Sequence, residues 1–142
     1  MKKRVFLFAL FVSQTLWCTS LASDDPRHLV ELPEMMKKHM LSNMRDHLVA
    51  INEILTSMAN DDLDKAAEIA ESRLGMSSLE SHGANHMAGF MPEGMRKAGT
   101  SMHRAASRFA IKAHQGESLP AYKALTNITS ACVACHAGYR IQ

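Results

Sequence analysis

Residues 132–140 read Cys132-Val133-Ala134-Cys135-His136-Ala137-Gly138-Tyr139-Arg140. The first five form a C-x-x-C-H pattern, the pattern of covalent haem attachment. Two thiols add across the two vinyl groups of a haem, and the adjacent imidazole takes one axial position on its iron. On a helix, Cys132 and Cys135 lie three apart on one face, and His136 follows Cys132 by one turn. The three side chains can therefore meet one flat macrocycle. Only Ala137 to Gln142 follow the histidine, so the opposite face of the haem has to be covered by residues from earlier in the chain.

The segment that carries the motif has a helical period, and so do three segments before it. The first runs from about Pro33 to Met58, with Met40, Met44, His47 or Leu48, Ile51, Leu55 and Met58 as its apolar stripe. Asn60-Asp61-Asp62 ends it and can cap the next helix, about Leu63 to Leu74, whose inner face is Ala66, Ala67, Ala70 and Leu74. Gly75 reads as a C-terminal stop. Met76 to Met91 is a longer connection with a short helical turn expected near Leu79. The third helix should start at about Pro92, with Met95, Ala98, Met102, Ala105, Phe109 and Ala113 facing inward and Gly116 closing it. Ser118 is the expected N-cap of the fourth, with Pro120 in its first turn. Tyr122, Leu125, Ile128 or Thr129, Cys132 and His136 share one of its faces. The expected fold is all-α: an antiparallel four-helix bundle with haem c covalently attached to the C-terminal helix.

Residues 1–22 read as a secretory signal peptide. Lys2, Lys3 and Arg4 are its positive region, Val5 to Trp17 its apolar run, and Ser20-Leu21-Ala22 its cleavage pattern, with cleavage after Ala22. The run is too short and interrupted for a membrane span. Trp17 before Cys18 argues against a lipoprotein signal. Residues 23–142 then form one domain. Three of the 16 basic residues and none of the 14 acidic ones fall in the first 22. The remainder is close to neutral, and no basic field for nucleic acid survives. With Cys18 removed, the only thiols are those of the motif. No strand pattern supports a thioredoxin-like redox pair, and a zinc site of this type would want four ligands.

Cys132-Val133-Ala134-Cys135-His136-Ala137-Gly138-Tyr139-Arg140 resembles the C-terminal C-x-x-C-H-x-x-Tyr-Arg signature of the class II cytochromes c, the cytochrome c′ group. The match is specific over the last dozen residues and extends to the rest of the chain in layout only. The resemblance implies a left-handed four-helix bundle, one covalent haem c with its iron, a periplasmic location and pairing of subunits through the first two helices. It assigns the thioethers to Cys132 and Cys135, the proximal iron ligand to His136, and a position near the proximal imidazole to Arg140. Some members leave the distal face open and bind NO or CO; others place a Met from the first helix on the iron and carry electrons.

Counting back from Asn60, the family's distal position falls between Met44 and His47. Met44 is the expected distal ligand, with His47 and Met40 as alternatives. Thioether with histidine raises the iron's reduction potential, and a second imidazole lowers it relative to methionine. Most of the chain's methionines must be core filler. His82 and His86, spaced i, i+4, are expected in a solvated loop; His103 and His114 are expected at the surface. Met87, Met91 and Met95 read as an apolar lid over one haem edge. Asn127-Ile128-Thr129 matches a glycosylation sequon but lies within an expected helix. The functional expectation is an electron carrier, not an enzyme, that docks redox partner proteins. The alternative is a five-coordinate gas-binding haem protein; a haem-free thiol or metal module is a third.

Overall fold

The computed structural model describes residues 25–142. The segment 1–22, expected to be a signal peptide, lies outside the described residues. A two-residue strand β1 (His28–Leu29) leads into α1 (Glu34–Ala59) and α2 (Leu63–Arg73). A 3-10 turn at Met76–Ser78, the short α3 (Ala84–Met87) and another 3-10 turn at Ala88–Phe90 make up the long connection. The chain continues as α4 (Glu93–His114), α5 (Ser118–Gly138) and β2 (Tyr139–Arg140). Among the described residues no helix is long and apolar enough to cross a membrane.

The helix limits follow from local chemistry. Pro33 stands just before α1 and Pro92 just before α4, where a missing N–H costs nothing. Asp61 takes a left-handed turn, φ 57°, and Asp62 then accepts a hydrogen bond from the Lys65 backbone N–H at 3.0 Å. Such a cap is worth about 1 kcal/mol. Gly116 ends α4 at φ 78°, a conformation that favours glycine. Gly75 also follows a helix, but in extended conformation. It is needed for a different reason: a Cβ there would collide with the backbone and carboxylate of Glu71. Ser118 is the first residue inside α5, and Glu117 before it caps nothing.

Close backbone contacts join α1 to α2, α2 to α4 and α4 to α5. One apolar core links all four of these helices through Ala50, Ile54, Met58, Ala66, Ala67, Ala70, Leu74, Ala105, Ala106, Phe109, Ala110, Ala113, Ala121, Leu125 and Ile128. So many alanines let helix axes approach closely. Arg73 at the end of α2 bridges Asp46 and Glu53 of α1. A smaller cluster of Val30, Met40, Met87 and Met95 packs with Met44, Met91, Cys135, Tyr139 and Ile141. The parallel pair β1–β2, with Val30 N–H donating to the Arg140 carbonyl at 2.8 Å, ties the start of the described chain to its end. The sequence showed no strand pattern, because two residues are too few for an alternation.

The stripe on α1 is turned from the expected one. Met40, Asn43, His47, Ala50, Ile54 and Met58 are buried, whereas Leu48 and Leu55 are exposed. On α5 it is Ala121, Leu125 and Ile128 that are buried, and Tyr122 is exposed.

Candidate functional site

Between the first half of α1, the first half of α4 and the last turns of α5 lies a cavity of about 490 Å³. The connection 79–91 covers another side of it, and Arg140 to Gln142 close its rim. Cys135 and His136 line it from α5. Met40, Met44 and His47 line it from α1. The three residues expected to compete for the distal position therefore share one cavity with the expected proximal histidine.

The two cysteines are placed differently. Cys132 packs against the main core, and Cys135, one turn on, packs with the methionine cluster. Both thiols are free and half-buried, and burial pushes the pKa of each up, with the neighbouring Cys132 adding to the effect at Cys135. Neutral, half-buried thiols are poor nucleophiles toward solvent partners. His136 is exposed at the cavity's edge. Arg140 lines the same cavity. Its Nε is buried without a hydrogen bond and lies 3.7 Å from the Asp25 carboxylate, in ion-pair range. Tyr139 rests its ring over the first turn of α4, where a side chain at Gly94 would strike its hydroxyl.

The inner part of the cavity is polar. His47, His82 and His103 are all buried and their rings face one another, with centroids 4.8 Å (His47–His82), 5.4 Å (His82–His103) and 6.1 Å (His47–His103) apart. His103 Nδ1–H donates to the Leu74 carbonyl at 2.7 Å. The Ser78 hydroxyl donates to the Gly75 carbonyl at 2.7 Å and sits 3.4 Å from His82 Nδ1. The His82 carbonyl in turn accepts from Asn43 Nδ2 at 3.0 Å and from His39 Nε2 at 2.9 Å. Nε2 of His47 is buried with no hydrogen-bond partner among the described residues. Its pKa falls to about 4, first through burial and then through the charge that His82 and His103 would carry beside it. Burial likewise lowers that of His82.

These histidines correct two expectations. His82 stands in a buried turn rather than a solvated loop, and His103 faces the cavity rather than solvent; His86 and His114 are exposed. A polar residue beside an apolar stripe gives no sign of burial until its partners come together, and those partners lie on three separate segments. The one sequence hint was that His47 stood at stripe spacing. Met87, Met91 and Met95 do line the cavity, and Asn127 lies within α5.

No protein-family model, curated protein or solved structure matches this chain.

Proposed function

We propose that this chain is an exported, periplasmic c-type cytochrome of the class II kind: an antiparallel four-helix bundle that holds one covalent haem and carries electrons. The observation that supports it most is the convergence of Cys135, His136, Met40 and Met44 on one cavity, from segments about ninety residues apart in the chain. The links between α1 and α2 and between α4 and α5 are short, at 60–62 and 115–117, which supports antiparallel neighbours in an up-down bundle.

The residues present fit the group. Cys132 and Cys135 would hold it by thioether bonds and His136 would supply the proximal nitrogen. Met44 would supply the distal sulfur: it lies in the same cluster as Cys135, whereas His47 belongs with the buried imidazoles. When bound, the haem supplies a one-electron iron couple whose potential is set by its axial ligands and surroundings. The chain's own part is to exclude water and keep the ligands still. Met87, Met91 and Met95 provide flexible apolar walls that fill irregular space. The β1–β2 pair and the Tyr139–Gly94 packing fix the turn after His136. Arg140 brings a positive charge to the proximal side. The exposed Leu48, Val49 and Leu55 of α1 support pairing of two subunits through the first helices, and redox partners would dock at the exposed cavity edge near His136.

The absorption spectrum of the purified protein in both oxidation states, with and without CO, tests this reading. A low-spin spectrum with a far-red sulfur-to-iron band, converted by Met44→Ala to a high-spin, CO-sensitive one, is the expected result. A high-spin wild type that binds NO or CO directly would instead establish the gas-binding alternative, and an unchanged Met44→Ala spectrum would reduce Met44 to packing.

A further inference from the structure

We propose that His47, His82 and His103 form a second metal site, one for a divalent first-row ion of the zinc type, distinct from the haem iron. The three rings come from α1, from the connection after α2 and from α4, and all three are buried on one cavity. Imidazole nitrogens bind Zn²⁺ tetrahedrally at about 2.0–2.1 Å, which places the ring centres of neighbouring ligands roughly 5 Å apart. The observed separations of 4.8, 5.4 and 6.1 Å bracket that value. Among the described residues no three such side chains already converge on a metal-sized point.

The hydrogen bonds prepare the rings for this. A carbonyl oxygen can only accept, so His103 carries its proton on Nδ1, where Leu74 takes it. The Ser78 proton goes to Gly75, so its oxygen is left to accept from His82 Nδ1–H. Both rings then hold their lone pair on Nε2, in the arrangement by which outer hydrogen bonds orient metal-binding histidines. His47 Nε2 has no partner among the described residues. Leaving a buried polar atom unpaired costs about 1–3 kcal/mol, a cost that a leucine at the same place would avoid.

A purely structural role for the trio does not account for this. The turn is already held by the backbone carbonyl of His82, on Asn43 and His39, and that needs no imidazole at position 82. The nearest carboxylate, Asp46, is bound to Arg73. The donor set is therefore three neutral nitrogens with the fourth position left to solvent, a set that suits zinc or copper better than calcium or magnesium.

The test is calorimetric titration of Zn²⁺ into the chelator-treated, purified full-length product at neutral pH. One equivalent should bind. His82→Ala and His103→Ala should each weaken it at least about 100-fold, while His86→Ala and His114→Ala, at exposed positions, should leave it unchanged. Zinc should raise the melting temperature of the wild type but not of His82→Gln, a readout that holds if the alanine variants fold poorly. Equal weak binding by wild type and both alanine variants, or loss of binding in His86→Ala, would overturn the proposal. A colourless protein that binds zinc would refute the haem reading and leave this one standing; a red protein that binds none would do the reverse.

Discussion

Around Phe109 the helices close on alanine; around Cys135 they stand apart on methionine and histidine. The first region is sealed: Ala50, Ala66, Ala67, Ala70, Ala106, Ala113 and Phe109 expose essentially nothing. The second encloses about 490 Å³ and is lined by Met40, Met44, Met87, Met91, Met95 and Met102. Small side chains specify a fixed distance between helices, and long flexible ones tolerate a gap that something else must fill. The same four helices thus provide rigidity at one end and a receptacle at the other.

The largest expected effect breaks the receptacle and spares the sealed region. Replacing Cys132 and Cys135 together by serine should abolish covalent pigment altogether, read as loss of Soret absorbance from the denatured protein, while far-UV circular dichroism keeps its helical form. Next, Phe109→Ala should cost about 3–5 kcal/mol in urea unfolding, because the alanine-lined region cannot collapse around the hole. Met87→Ala, also buried but in the adaptable region, should cost only about 2 kcal/mol, because flexible neighbours can move into the space. Similar losses at the two positions would mean that the regions do not differ in rigidity.

Acid should act on the receptacle too. His47 takes up its proton near 6.5 when unfolded but only near 4 in the native state, where burial, His82, His103 and Arg73 oppose the charge and Asp46 favours it. Between these values the unfolded chain binds more protons. Stability is therefore complete above pH 6.5 and falls as the pH drops toward 4, by an amount of the order of 3 kcal/mol for this group. Urea midpoints of zinc-free protein at pH 7.5 and 4.5 measure it, and His47→Gln should reduce the difference, with His82, whose pKa burial also lowers, contributing with the same sign. The smallest effect belongs to the surface bridge: Arg73→Ala should cost about 1 kcal/mol, since Arg73 is only partly buried and its partners Asp46 and Glu53 are half exposed.

Much of the fold was legible because its signals are local. Prolines at 33 and 92, Asp62 and Gly116 mark helix ends by backbone chemistry that needs no tertiary partner, and the inner faces of α2 and α4 follow from alanine and methionine spacing. The α1 stripe lies a fraction of a turn from the expected one. Leu48 and Leu55 drew the expected face toward themselves, while Asn43 and His47, polar and therefore discounted, are the residues that are buried. The same discount hid His82 and His103. Their burial depends on Ser78, Leu74 and Gly75 arriving from the α2 end, a long-range arrangement that periodicity cannot register. Of the cavity lining, Cys135 and His136 could be read from a pentapeptide, and Met44 and Met40 from the count along one helix; Cys132 packs on the main core outside that lining, and the imidazole trio needed the assembled structure.

The proposed function depends on a porphyrin bonded to the last helix of this chain. Intact mass spectrometry of the protein after export in a host with haem-attachment machinery, under denaturing conditions, tests it most directly. The expected result is one species heavier than the processed polypeptide by the mass of a single haem, with Soret absorbance that survives acid and solvent extraction. A species with the mass of the polypeptide alone, its pigment absent or extracted, would contradict it.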